Sequence, residues 1–394
     1  MLNLSESKQK ILDELVAKEK DFLLQLRREL HLKPELSGKE YQTSKFIKEQ
    51  LKKWQIPYQE IAPTSILGVI DSQKPGQNVA LRADIDALPL TEKADVAFKS
   101  ENEGVMHACG HDAHMAMQLV VAKILAEHKD LFTGKIYLIF ESGEEDASGI
   151  DYVIKALKAE PIDYIYGTHV ASFQEIGEAS CLSEAVMAGQ YILRLTIKGK
   201  SGHGARPDLA QSPIVATGMI LQALQAGWMH ILDLRKPVTF SFGTVHGGFA
   251  HNVIPDEVVL TGTMRFFDEE AGKVALELWQ KLVLETATLY GTKAEIEIVK
   301  FIPPVKNDVS LADLVRELQT DLGLKQAQEA KWNASETFAK YQEIAPSVFT
   351  FLGCANQSKG MIYGHHHEQF MVDEDCLTDG VKLALRTTLS LLQA

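Results

Sequence analysis

The sequence predicts an α/β protein of two domains, the first interrupted along the chain by the second. Three observations carry that prediction. At 394 residues the chain is too long for one ordinary core. Its early strands are solid apolar runs suited to a buried, mostly parallel sheet, whereas from about Ala188 the strands alternate apolar and polar residues as half-exposed antiparallel strands do. After the double proline in Phe301-Ile-Pro-Pro-Val, a solidly apolar run returns at residues 347–353. Residues 1–186 and 303–394 are therefore expected to form one discontinuous domain, and residues 187–302 an inserted α+β domain.

Taken in order, Ile11, Leu12, Leu15, Val16, Phe22, Leu23 and Leu26 recur at helical spacing over residues 6–28, and Pro34 ends the pattern. A second amphipathic helix is expected up to about Trp54. His31 lies at a helix end, where capping or packing is as ordinary a role as a site. Residues 78–84, 135–141 and 164–170 read as strands, with a helix over residues 115–128. Each strand runs into chemistry-bearing side chains, which is where open α/β sheets hold their sites. Those side chains are Asp84 and Asp86, then Glu144, Glu145 and Asp146, then His169. Turn carboxylates and a buried neutral histidine are the plainer readings of each taken alone. In the inserted segment, strands are expected at residues 191–198, 237–245 and 258–267, and helices at residues 213–232 and 269–290.

Bulk properties narrow the partners. Formal net charge is -13, with 45% hydrophobic and 24% charged residues, a soluble globular composition. Such a charge opposes nucleic acid and anionic membrane surfaces, and no basic patch offsets it. Cys109, Cys181, Cys354 and Cys376 are widely spaced without any Cys-x-x-Cys, as free thiols in a reducing compartment would be. The N-terminal residues lack the basic start and apolar run of a signal peptide, and no stretch is expected to approach the length of an apolar membrane span. A cytoplasmic location is expected.

Residues 105–114, Val-Met-His-Ala-Cys-Gly-His-Asp-Ala-His, concentrate three imidazoles, a thiol and a carboxylate. Cys109 and His111 are two apart, so an extended backbone would project both to one side. Thiolate and imidazole suit a divalent metal, and no second Cys or His pair completes a closed structural site. An open catalytic site is the expectation, with further ligands from elsewhere. Asp86 could orient a metal-bound histidine through its second ring nitrogen. Adjacent Glu144 and Glu145 cannot face the same way, so one would ligate metal while the other handles protons. His365, His366 and His367 in the tail offer one more ligand.

The segments Leu81-Arg-Ala-Asp-Ile-Asp-Ala-Leu-Pro89, Met106-His-Ala-Cys-Gly-His-Asp112, Glu144-Glu145, Gly202-His-Gly-Ala-Arg-Pro207, His251-Asn-Val-Ile-Pro-Asp256 and Gly262-Thr-Met-Arg265 occur in that order. Together they resemble the amidohydrolase branch of the co-catalytic metallopeptidases. That branch includes hippurate hydrolases, aminoacylases, indole-acetyl-amino-acid hydrolases and N-acetyl-diaminopimelate deacetylases. The resemblance implies an α/β/α catalytic domain with two divalent metal ions, manganese or zinc with cobalt or nickel also suitable. It implies an inserted lid that mediates homodimerisation or higher assembly, and an N-acyl amino acid as substrate.

By motif, Cys109, His111, Glu145, His169 and His366 fall at the metal ligands, His366 being chosen because it precedes Phe370 by four residues. Glu144 falls at the general base and Asp86 at the supporting carboxylate. His203 would reach an active site, its own or a partner's, and Asn252 and Arg265 would contact substrate. Three departures stand out. Asp146-Ala147-Ser148 replaces the usual glycines, His367-Glu368 replaces a small residue and proline, and Thr337 stands where aspartate is common. The alternatives are a dipeptidase or carboxypeptidase, a thiol hydrolase using Cys109 as nucleophile, and a non-catalytic metal- or ligand-binding module.

Overall fold

A computed structural model describes residues 4–61 and 63–393. The chain divides into two compact units, one of residues 1–184, 306–330 and 340–394, the other of residues 185–305 and 331–339. Residues 331–339, assigned above to the first domain, instead belong to the second unit. Main-chain bonds explain this: the Ala188 N–H reaches the carbonyls of Trp332 and Ala334, and the Trp332 N–H reaches the Val186 carbonyl.

The first unit is built on an eight-stranded mixed sheet. Its centre is parallel, Lys135–Glu141 beside Asn78–Asp84 beside Tyr164–Glu175 beside Ser347–Ala355. These are the apolar runs, and every residue of Ser347–Ala355 is buried. The strand Ser65–Asp71, not evident in the sequence, pairs antiparallel with Lys135–Glu141 and carries Tyr58–Ile61 outside it. Its Gly68 and flanking turn residues dilute the pattern. The expected helix over residues 6–28 is two helices, Glu6–Lys18 and Lys20–Leu32.

The largest correction concerns the helix expected over residues 115–128, which runs from His111 to Glu127. Cys109 and His111 are therefore not two positions of one extended strand. Gly110 turns the chain in the left-handed region at φ 88°, and His111 opens the helix. This helix is apolar almost all round and packs on the Asn78–Asp84 strand and between helices Lys20–Leu32 and Cys376–Leu391. A Cβ at Gly110 would collide with the side chain of Val170. Gly110→Ala is expected to lower unfolding stability by about 2–4 kcal/mol, adding left-handed strain to overpacking. Urea denaturation checks this, and an unchanged midpoint would refute it.

The second unit holds a four-stranded antiparallel sheet in the order Val238–Gly247, Glu257–Phe266, Gly189–Lys198, Lys293–Ile302. Helices Pro213–Ile231 and Glu269–Leu289 pack together on it around Trp279, Ile220, Leu260 and Phe266. Pro213–Ile231 is long and apolar enough to cross a membrane by length and composition alone, contrary to the sequence expectation that no such stretch exists. Its apolar residues are divided by Thr217, Gln222 and Gln225, so no unbroken run was visible. One face, with Ala216, Ile220 and Leu224, is buried in the unit, while Ile214, Val215, Leu221, Met229 and Ile231 are exposed.

Candidate metal centre

The parallel strands of the first unit end where their sequence turns from apolar to ionisable, and the loops beyond them converge. Five side chains meet at the point of convergence, with Cys109, His111 and His169 buried and His366 half exposed. His111 Nε2 lies 3.9 Å from Glu145 Oε1, and His366 Nε2 lies 3.5 Å from the same oxygen. Cys109 Sγ lies 3.6 Å from His169 Nε2. Cys109, His111 and Glu145 can each offer a ligand atom within 4.8 Å of the others, and so can Asp84, His111, His114 and His169.

Hydrogen bonds aim these rings. The Asp86 carbonyl, 2.9 Å from His111 Nδ1, only accepts, so Nδ1 carries the proton and Nε2 turns inward. Asp86 Oδ1 lies 3.2 Å from the same nitrogen. Its Oδ2 accepts from Ser37 Oγ at 2.6 Å and from the Glu145 N–H at 3.0 Å. One carboxylate thus ties the glutamate loop to the imidazole. His169 Nδ1 donates to the Val170 carbonyl at 2.6 Å, which leaves Nε2 as its lone-pair nitrogen.

The tail histidines separate by their surroundings. His365 accepts from the Ser172 N–H at 3.1 Å, and His367 stacks on Tyr363 with ring centroids 4.4 Å apart. His366 faces Glu145 from a backbone φ of 65°, a conformation that costs a non-glycine residue energy and persists where the surroundings enforce it. Ala147, standing where glycine is usual, likewise has φ 51°. The loop after the glutamate pair thus passes through the left-handed region at a residue that carries a Cβ.

Electrostatics suit a cation. Burial opposes charge on His111, yet the carboxylates of Asp84, Asp86 and Glu145 outweigh it and push the ring up to about 10. His169 moves the other way, held well below its usual range by burial and by neighbouring histidines, which keeps its lone pair available. Buried His111 Nε2 and Glu145 Oε1 have no hydrogen-bond partner. A desolvated nitrogen and an acidic oxygen left unsatisfied side by side are costly without a cation to share. Mixed thiolate, imidazole and carboxylate donors fit a divalent transition metal.

Two contributors went unassigned in the sequence. Asp84, fully buried, has Oδ2 3.6 Å from His111 Nε2 and an ion pair to Arg82 at 2.7 Å. His114 stacks 5.6 Å from His111 and 4.5 Å from His169, centroid to centroid. Both follow from spacing, since Asp84 shares a side with Asp86 two residues on and His114 shares a helix face with His111 three residues back. The misplaced helix start hid the second relation.

His203, Asn252 and Arg265 lie in the second unit. His203 and Asn252 meet in a short ribbon, where the Gly204 N–H donates to the Asn252 carbonyl at 2.8 Å and the Ala205 N–H to His203 Nδ1 at 3.0 Å. Arg265, on Glu257–Phe266 opposite Gln190, is part-buried, and its Nη1 has no hydrogen-bond partner.

An inward-facing set of thiol, imidazoles and carboxylates at the carboxyl edge of a mixed sheet defines a metallohydrolase of the α/β class. Residues 80–390 match Peptidase family M20/M25/M40, and the chain belongs to that family. It is 37% identical over 365 residues to Thermostable carboxypeptidase 2 of Saccharolobus solfataricus, covering 91% of this chain and 93% of the relative. It is 33% identical over 356 residues to the N-acetyl-L-cysteine deacetylase of Bacillus subtilis, covering 90% of this chain and 84% of the relative. The solved structure of Bacillus subtilis YXEP, described as a dinuclear metal binding peptidase, superposes with a TM-score of 0.83 at 30% identity, covering 96% of this chain and 99% of that one. The protein is a metal-dependent amidohydrolase.

Proposed function

We propose that the enzyme hydrolyses the amide of an N-acyl amino acid to a carboxylate and a free amino acid. The observation that carries this reading is the pairing of Glu145, whose carboxylate turns to His111 and His366, with its neighbour Glu144 on the same loop. Cys109, His111, Glu145, His169 and His366 would hold two divalent ions, manganese or zinc, with cobalt or nickel also compatible. When bound, such ions polarise the scissile carbonyl and lower the pKa of the attacking water. Glu144 takes the water's proton and delivers it to the leaving amine. Asp86 keeps His111 in the tautomer that presents Nε2.

In neutral His203, Nδ1 accepts from Ala205, so Nε2 carries a proton suited to an oxyanion. Arg265, with Asn252 as a further contact, pairs with the substrate's α-carboxylate as a fork. Arg265→Ala is expected to raise KM for an N-acyl amino acid by about 10- to 100-fold, the loss of a charge-assisted bond. The same substitution should leave KM for the corresponding amino-acid amide unchanged; equal effects on both would remove Arg265 from this role.

A second reading, a carboxypeptidase, is favoured by the 37% identity to the Saccharolobus protein. The two reactions present the same groups, an amide nitrogen on an amino acid with a free carboxylate. They differ only in what lies on the acyl side.

We assign the enzyme to a homodimer formed through the second unit. Its strand Val238–Gly247 lies at the sheet edge, and a groove of about 610 Å³ between that strand and helix Pro213–Ile231 is lined by Leu221, Trp228, Met229, Phe240 and Phe242. The exposed side of the helix continues this apolar surface. Sedimentation at micromolar concentration is expected to give twice the chain mass, and Leu221→Glu the single mass; a monomeric parent protein would contradict the assignment. A cytoplasmic location is consistent with four cysteines not joined in disulfides.

A further inference from the structure

We propose that Asp84 and His114 form a positioning couple that fixes the presentation of His169 and His111, neither acting as a metal ligand. The inference rests on the ligand reading above.

Geometry defines the state of His114. The Val170 N–H, which can only donate, points at His114 Nε2 from 2.9 Å. Nε2 must therefore offer its lone pair, and the ring proton resides on Nδ1, which donates to Asp84 Oδ1 at 2.6 Å. With both nitrogens engaged, His114 has no lone pair left for a metal, although its place beside Asp84, His111 and His169 gives it the look of a ligand.

The couple acts through the main chain. The residue whose N–H His114 grips, Val170, is the one whose carbonyl accepts from His169 Nδ1 at 2.6 Å. His114 thus anchors the residue that sets the His169 tautomer. His114 also stands edge-on to His169 and stacked on His111, limiting the rotation of both rings.

Asp84 is the other half. It is fully buried, and Arg82 Nη1 binds its Oδ2 at 2.7 Å while Arg82 Nε binds Glu141 Oε2 at 2.7 Å, a carboxylate that also accepts from Tyr341 at 2.8 Å. This network pins Asp84 so that Oδ1 meets His114. The strand registers that align Asp84 with Glu141 bring the network together.

The test compares His114→Gln with His114→Leu. A glutamine oxygen reaches the position of Nε2 and can accept from Val170, whereas leucine fills the space without a lone pair. Zinc affinity of the purified full chain, measured by competition with a chromogenic chelator, is expected to fall about 10- to 100-fold in the leucine variant. Glutamine should restore most of that affinity. Unchanged affinity in the leucine variant would overturn the proposal, and equal losses in both would make His114 a ligand.

Nitrogen-15 NMR of the metal-free parent protein supplies a readout that needs neither variant. The His114 Nδ1–H tautomer is expected, and the Nε2–H tautomer would overturn the proposal. Failure of the parent protein or retention of its full affinity by His169→Ala would instead count against the ligand reading, so the two failures are distinguishable.

Discussion

Glu144→Gln is expected to lower turnover by about 100- to 10,000-fold, the usual contribution of a positioned general base, while the metal content stays at that of the parent protein. Glutamine keeps the size and hydrogen-bonding reach of glutamate but cannot accept a proton at neutral pH. The ligand atoms gathered around His111 come from other residues, so the centre itself should survive the change. Glu145, whose main-chain N–H is held by Asp86, fixes the loop on which Glu144 stands. Steady-state assays alongside metal analysis of the same sample check the outcome. Turnover within a few-fold of the parent would remove Glu144 from the role of base.

His111→Ala is expected to do more damage and of a different kind. Its imidazole is the group that Asp84, Asp86 and Glu145 all face, so its removal takes out a ligand and leaves buried carboxylates without their positive partner. Metal affinity should fall by more than the roughly 10- to 100-fold that loss of an outer partner costs, and turnover should drop to background. Elemental analysis after dialysis reads the first effect directly. A variant that retains the metal content of the parent protein would show that the centre is assembled on other residues.

The contrast between these variants bears on what the sequence could disclose. The parallel strands were legible because burial on both faces leaves only apolar residues, and Asn78–Asp84 and Lys135–Glu141 lie where their pattern ends. The ionisable groups following them were legible for the same reason, as interruptions of that pattern. Ser65–Asp71 was not, because Gly68 at its centre and Asp71 at its end dilute the signal.

Long-range partners were the harder part. Nothing local in the chain indicates that Arg82 bridges Asp84 and Glu141, or that Ser37 reaches Asp86, since those contacts depend on strand register and loop return. The helix start at His111 was hidden for a local reason. Gly110 reads as a loop residue, and the polar run His-Asp-Ala-His looks unlike a helix until the turn at Gly110 is known to deliver it into the core. Chain continuity misled in the case of residues 331–339, which lie beyond the double proline but bond to Val186 and Ala188.

The central claim is that this centre hydrolyses the amide of an N-acyl amino acid by means of bound metal. The most direct measurement is release of amino acid by the metal-stripped protein from N-acetyl-diaminopimelate, hippurate, N-acetyl-methionine and a panel of dipeptides, each with and without added manganese or zinc. We expect no release without metal and rapid release from at least one N-acyl amino acid once metal is restored. Release from dipeptides alone would move the enzyme to the carboxypeptidase reading, and release that is indifferent to metal would contradict the account.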